Sequence, residues 1–241
     1  MSDAAGYDIL QWDSATFGFP VARIRPAAVV GMTLVVDALR ARGVRLAYLT
    51  CPEADRETQG TALAHGCTPV DVRMTFVASL REPREPERTR EATIVPYPEP
   101  VADETLVNLA RQSGEFSRFR TDPRVGRHVF EAIYDAWIRN SVERRIADEV
   151  LVAISDGRTV GLVTVARRGE QMEIGLLAVD AQSRGRGVGR ALVSAALGWG
   201  KAAACTRAVV VTQQANQAAC RLYESCGYHV GSVECVFHLW L

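Results

Sequence analysis

The sequence predicts an α/β protein with a mixed sheet, arranged as a smaller N-terminal α/β domain and a larger domain after it. Three observations carry this. The apolar run Leu176-Leu177-Ala178-Val179 leads through a loop with glycines at 185, 187 and 189 into a helix whose Val188, Leu192, Ala195 and Trp199 recur at helical spacing. A helix, a glycine and an alternating strand follow one another twice, ending at Val70–Val77 and at Val233–Trp240. Between the two copies, residues 82–91 hold charge and proline without a hydrophobe, which is the composition of a solvated linker. The expected domains are therefore residues 1–81 and 92–241.

The elements follow in order. Tyr7–Trp12 opens the first domain, and Phe17–Ile24 reads as a turn into a strand. Residues 32–42 are periodic and stop at Gly43, a helix signature. Arg45–Thr50 is a strand, residues 53–65 a helix closed by Gly66, and Val70–Val77 a half-buried strand. After the linker, Thr93-Ile94-Val95 restarts a strand and residues 103–112 a helix, with Asp103 as its N-cap. Gly114–Arg124 mixes arginine and phenylalanine without a clean period before Pro123. A loop that presents guanidinium and aromatic groups suits a charged, flat ligand such as a nucleotide or nucleotide-sugar; two phenylalanines tucked inward from a solvated loop is the plainer alternative. A helix carrying Val129, Ile133, Trp137 and Ile138 comes next. Strands at 149–154 and 159–166 flank the turn Ser155–Arg158, a hairpin by pattern. Strands at 172–179 and 208–212, a helix from Asn216 to Gly227 and the final strand complete the chain.

Composition excludes several classes. With 241 residues, 48% of them hydrophobic and a formal net charge of zero, the chain is long enough for a sizeable core. Balanced charge gives no reason to expect nucleic acid or an anionic membrane as partner. No apolar run approaches the roughly 20 residues of a membrane span, and Met1–Gly6 carries no basic or apolar leader, so a cytoplasmic location is expected. The six cysteines form no C-x-x-C pair and no zinc spacing, so neither a metal nor a disulfide framework is expected.

The glycine loop is an anion site by construction. Its glycines bare backbone N–H groups just ahead of a helix N-terminus, where orphan donors and the positive end of the helix dipole coincide. Arg184, Arg186 and Arg190 add charge. No Lys-Ser or Lys-Thr follows the glycines, which excludes a Walker A loop, and Arg190 stands where a dinucleotide fingerprint needs its third glycine. Arg184–Gly189 fits [QR]-x-x-G-x-[GA] throughout, and Asn216–Tyr228 fits N-x-x-A-x-x-x-Y-x-x-x-G-[FY] at Asn216, Ala219, Tyr223, Gly227 and Tyr228.

These two motifs, in this order, resemble the GCN5-related N-acetyltransferases. The narrower resemblance is to the dTDP-4-amino-4,6-dideoxygalactose (dTDP-fucosamine) N-acetyltransferases. It rests on Leu10-Gln11-Trp12 with Phe17-Gly18, Ser117–Arg120, Trp137–Asn140, Ile174–Ala178 and Tyr223. It covers both domains and implies an N-terminal partial copy of the acetyltransferase fold that holds no cofactor.

The resemblance implies transfer of the acetyl group of acetyl-CoA, by direct attack, onto the amine of a nucleotide-linked amino sugar, with no metal. The CoA pyrophosphate is expected on Arg184, Gly185, Arg186, Gly187, Val188 and Gly189, and the pantetheine arm along Leu177, Ala178 and Val179. Asn216 is expected to bond the CoA arm and Tyr223 to protonate the departing thiolate. Ser117, Arg118, Phe119 and Arg120 are expected to hold the sugar nucleotide. Glu173 and His128 lie near this machinery, but neither reads as a general base. A peptide or other small-molecule amine as acceptor, a non-catalytic acyl-CoA sensor and a homodimeric assembly stay open.

Overall fold

Residues 6–81 and 89–241 are described by the computed structural model. The order of elements is β1 (Tyr7–Ile9), α1 (Gln11–Phe17), β2 (Val21–Ile24), α2 (Met32–Ala41), β3 (Leu46–Pro52), α3 (Arg56–Ala64) and β4 (Thr68–Ser79). There follow β5 (Thr93–Pro96), α4 (Glu104–Ser113), α5 (Arg118–Thr121), α6 (Arg127–Val142), β6 (Glu149–Ser155), β7 (Arg158–Arg168) and β8 (Gln171–Val179). The last elements are α7 (Val188–Ala202), β9 (Arg207–Gln213), α8 (Gln217–Ser225) and β10 (His229–Trp240).

Local chemistry accounts for most of these boundaries. Asp103 caps α4 by accepting from Leu106 N, as its position in the sequence predicts, and Asp55 caps α3 by accepting from Thr58 N. Two helices depart from the sequence reading. Gln11–Phe17, for which the sequence suggests no helix, is helical, and Ser14 ties it down by donating to Leu10 O at 2.7 Å and accepting from Val21 N at 2.9 Å; beyond it the chain turns at Gly18 into the expected strand. Arg118–Thr121 forms one turn of helix inside the segment expected to lack period. Both are too short to show a hydrophobic repeat and too short to be stable alone, so tertiary anchors decide them.

The chain forms two compact units. The first gathers residues up to Arg73 with Ser117–Val129 and Ser232–Leu241, and the second Met74–Phe116 with Phe130–Gly231. The units do not follow the expected division at 82–91, of which residues 82–88 lie outside the described residues. In the first unit the strand order is β1-β2-β3-β10, with β2 and β3 parallel and the C-terminal strand antiparallel to β3 from Glu234↔Pro52 to Trp240↔Leu46. Its core packs Ile24, Met32, Leu39, Leu49, Phe237 and Leu239. In the second unit the order is β4-β9-β8-β7-β6-β5, with β8 and β9 parallel and β5 to β8 antiparallel in sequence. Helix α7 covers one face of that sheet, burying Val188, Leu192, Val193 and Ala196 against Val163, Val165, Met172 and Ile174. No helix among the described residues is long and apolar enough to cross a membrane.

Candidate active site

The glycine loop begins where β8 ends. Asp180 accepts from Gln182 N and turns the chain through Ala181–Ser183. Gly185 and Gly187 then take φ of 77° and 81°, the left-handed conformation that a side chain disfavours. Gly187 is the N-cap of α7, and no side chain caps this terminus, so the first N–H groups of the helix are available to an anion. Gly189 serves another purpose. A Cβ there would lie 3.3 Å from Leu222 Cδ2, so the missing side chain lets α8 approach α7. Val188 is likewise a core residue, 1% exposed. Of these two expected cofactor ligands, only the main-chain N–H groups are left to meet an anion.

The arginines also divide. Arg184 is a strut: its Nε donates to Val179 O at 3.0 Å and its Nη2 to Gln112 Oε1 at 3.4 Å. The Arg186 guanidinium is exposed, 3.7 Å from the Glu91 carboxylate. Thr89 Oγ1 donates to Arg186 O at 3.0 Å, so the chain following the charged segment is tied to the loop.

Strand β8 has an open edge. Its parallel ladder with β9 runs from Gln171↔Arg207 to Ile174↔Val210, and among the described residues no register pair continues it to Val179. On the other side, β7 pairs Val165 with Ile174 and then Val163 with Leu177, so Gly175 and Leu176 stand opposite Thr164 alone. This is a β-bulge, which bends a strand and increases its twist. Thr164, 1% exposed, accepts the displaced Leu176 N–H on Oγ1 at 2.9 Å. The bulge also reverses which residues face α7. Met172 and Ile174 lie in that core before it, and Leu177 and Val179 pack against the same core after it.

The direction of the main chain follows from the ladder. Asp180 N donates to Val160 O at 2.8 Å, which makes that pair hydrogen-bonded. Antiparallel pairs alternate, so Ala178 also bonds β7, while Leu177 and Val179 turn their N–H and C=O groups to the open edge. Arg184 on Val179 O agrees with this. Ala178, expected along the pantetheine arm, therefore has no main-chain group to offer it.

Helix α8 brings in the later motif. Asn216 is its N-cap, and its Oδ1 accepts from Ala219 N at 3.1 Å, leaving the side-chain NH2 for any contact with a CoA arm. Tyr223 is 4% exposed, with its ring 5.8 Å from those of Phe76 and Tyr228, in the apolar cluster against which Leu177 and Val179 pack. Burial holds its phenol above the ordinary tyrosine pKa, so it stays protonated at neutral pH, as a proton donor must. Burial likewise raises the Cys220 thiol, which disfavours a thiolate nucleophile there.

The segment expected to hold the sugar nucleotide belongs to the first unit. Ser117 is buried and Arg120 exposed. The Arg118 guanidinium lies 4.4 Å from the Tyr48 ring centre and 4.5 Å from that of Phe119, so it is covered by aromatic faces. Asp122, 2% exposed, anchors the segment. It accepts from His238 Nδ1 at 2.7 Å, Trp240 Nε1 at 2.8 Å and Arg124 N at 2.9 Å. Burial alone would raise its pKa, but the bonds from Trp240 and His238 outweigh that and leave it below the usual carboxylate range. Burial pushes His238 down to about 4, assisted by Arg118 and Arg124 against the opposing Asp122, so the ring is neutral at pH 7. Burial also lifts Asp71 to about 6, although Arg118 pulls the other way. Of the four residues expected to meet substrate, Arg120 is the one displayed to solvent.

Residues 109–228 match the family model described as the acetyltransferase (GNAT) family. This chain belongs to the GNAT acetyltransferase family. The family uses an acyl-CoA donor. Among solved structures, a GCN5-related N-acetyltransferase from Sphaerobacter thermophilus aligns with 97% of this chain and 76% of its own, at TM-score 0.66 and 17% identity. A tandem GNAT protein from the clavulanic acid biosynthesis pathway aligns with 91% of this chain and 75% of its own, at TM-score 0.60 and 14% identity. Likeness at that identity speaks for the fold. The spore coat polysaccharide biosynthesis protein SpsD of Bacillus subtilis (strain 168) is 28% identical over 143 residues, 59% of this chain. That match spans about half of the relative, 49% of its length.

Several residues of this GNAT protein escaped the sequence reading. Thr164 supports the bulge, Gln112 and Thr89 brace the glycine loop, and Asp122 with His238 anchors α5. Each acts across a long separation along the chain, so no local pattern marks it. The adjacency of Asp122 to Pro123 was the one local hint, as a signal for the end of a helix.

Proposed function

We propose that this GNAT protein transfers the acetyl group of acetyl-CoA to the amine of a nucleotide-linked (dTDP) 4-amino-4,6-dideoxy sugar. The observation that carries the donor half is the open edge of β8 at Leu177 and Val179 leading into the uncapped N-terminus of α7. An extended arm ending in a pyrophosphate needs that order: strand-like hydrogen bonds, then an anion site. Arg184, already on Val179 O, stiffens the junction, and Arg186 supplies the mobile charge.

When bound, acetyl-CoA supplies an activated thioester carbonyl. A main-chain N–H at Leu177 or Val179 stabilises charge developing on that carbonyl oxygen; one such donor is worth roughly 3–4 kcal/mol. The amine nitrogen bonds the carbonyl carbon as the carbon–sulfur bond breaks, the Tyr223 hydroxyl gives its proton to the leaving sulfur, and the proton shed by the nitrogen passes through water to restore the phenol. The exposed Arg120 takes an acceptor phosphate. The spore coat polysaccharide relative supports a sugar acceptor.

Release of free thiol from acetyl-CoA, measured against nucleotide amino sugars, the free amino sugars and peptide amines, tests this. The nucleotide-linked sugars should react at least about tenfold better, since remote binding energy orients the amine. Equal turnover of free sugar or peptide refutes the acceptor and leaves an acetyltransferase of other specificity.

A further inference from the structure

We propose that Thr89 and Glu91 are positioning residues for the donor pyrophosphate. Thr89 fixes the direction of a loop N–H, and Glu91 restrains the loop's mobile guanidinium. The inference rests on the reading that the pyrophosphate sits on the glycine loop.

Thr89 Oγ1 donates to Arg186 O at 3.0 Å and accepts from Glu91 N at 3.2 Å, so both capacities of the hydroxyl are engaged and its proton direction is set. The carbonyl it holds shares a peptide plane with Gly187 N–H. In a trans peptide the two point opposite ways. Holding Arg186 C=O towards Thr89 therefore holds Gly187 N–H away from it, at the N-cap of α7. A Cβ on Gly187 would lie 3.6 Å from Thr89 Oγ1, so the threonine stands directly against this turn. Gly187 has a φ of 81° and no side chain, and such a residue has little of its own to choose one peptide orientation over another. An external bond is the economical way to set it.

Glu91 acts in the opposite sense. Its carboxylate is 3.7 Å from Arg186 Nη1, and both side chains are at least half exposed. A pair so open is weak and screened by salt. It parks Arg186 when no phosphate is present, yet its negative charge opposes an incoming diphosphate. The segment read from sequence as the end of a linker thus both shapes the loop and moderates its affinity.

The test is calorimetric titration of the full chain with acetyl-CoA. Thr89→Val should weaken binding about tenfold, because the carbonyl loses its donor, and Thr89→Ser should stay within about twofold of wild type. Glu91→Gln should tighten binding about threefold at low ionic strength, and the gain should vanish near 0.5 M salt, where charges screen within roughly 4 Å. At saturating acetyl-CoA, kcat and the acceptor KM should be unchanged in all three. Gly187→Glu separates the two layers of the argument. If it leaves affinity intact, the pyrophosphate is not on this loop. If it abolishes binding while Thr89→Val binds like wild type, the role of Thr89 is refuted alone. Weaker binding by Glu91→Gln refutes the role of Glu91.

Discussion

Thr164→Val is the sharpest test of how the donor site is opened. Valine has nearly the shape of threonine, so packing in the 1%-exposed site is conserved and only the acceptor of Leu176 N–H is removed. A buried N–H without a partner costs about 1–3 kcal/mol. The chain has two routes. It can keep the bulge and bear that cost, or let β8 slip towards a regular ladder, which would shift the register of Leu177 and Val179 and disturb the open edge. The first route lowers stability with acetyl-CoA affinity preserved in the folded protein, and the second lowers both. For a chain of this size each kcal/mol corresponds to about 2–4 °C in Tm. Thermal melts with and without acetyl-CoA, together with calorimetric Kd, read both routes. Thr164→Ser keeps the hydroxyl and should retain wild-type affinity. The reasoning is refuted if Thr164→Val melts within about 0.5 kcal/mol of wild type and also binds acetyl-CoA unchanged, because the hydroxyl would then hold nothing.

Further outcomes follow from the site. Tyr223→Phe preserves the packing against Phe76 and Tyr228 and removes the proton donor, so kcat should fall about 10²–10⁴-fold with Kd for acetyl-CoA little changed; a loss under about threefold would make Tyr223 a packing residue only. Arg120→Ala should raise KM for the nucleotide sugar at least about tenfold without touching KM for acetyl-CoA, whereas Arg118→Ala should lower Tm as well, since it removes cation–π contacts with Tyr48 and Phe119. If Arg120→Ala leaves the acceptor KM alone, the displayed guanidinium is not a phosphate ligand. Stability should also respond to acid through two opposed groups. His238 titrates near 4 in the fold against 6.5 in the unfolded chain, so the unfolded chain binds more protons between these values and stability falls as pH drops from 6.5 towards 4. Asp71, raised to about 6 from 3.8, binds its proton more readily in the folded state, so it adds stability as pH drops from 6 to 3.8. Asp71→Asn removes the second contribution, and its denaturation midpoint should therefore fall more steeply between pH 6 and 4 than that of wild type; a parallel profile would contradict the Asp71 assignment.

The sequence alone determined the local pieces of this protein. Arg184–Gly189 announced a glycine turn into a helix because glycine at alternate positions before a helix has a direct backbone consequence. The left-handed φ at 185 and 187 bears out that turn, and the phosphate on it is part of the proposal. Asp103 as a cap, Gly227 at positive φ after α8 and the hairpin about Ser155–Arg158 were legible for the same reason: each is decided by a few neighbouring residues. What tertiary structure decided was where main-chain groups point and which charges are already engaged. An even alternation along β8 would continue through Gly175. The bulge reverses it, and with it which of Leu177, Ala178 and Val179 can meet a ligand. Arg118, Arg120 and Arg124 look alike in sequence. One is covered by Tyr48 and Phe119, one is solvated, and one lies against Asp122 and Trp240. His238 and Asp122 are 116 positions apart and meet at 2.7 Å. Hydrogen bonds and burial across such separations depend on the assembled sheet, and no pattern along the chain encodes them.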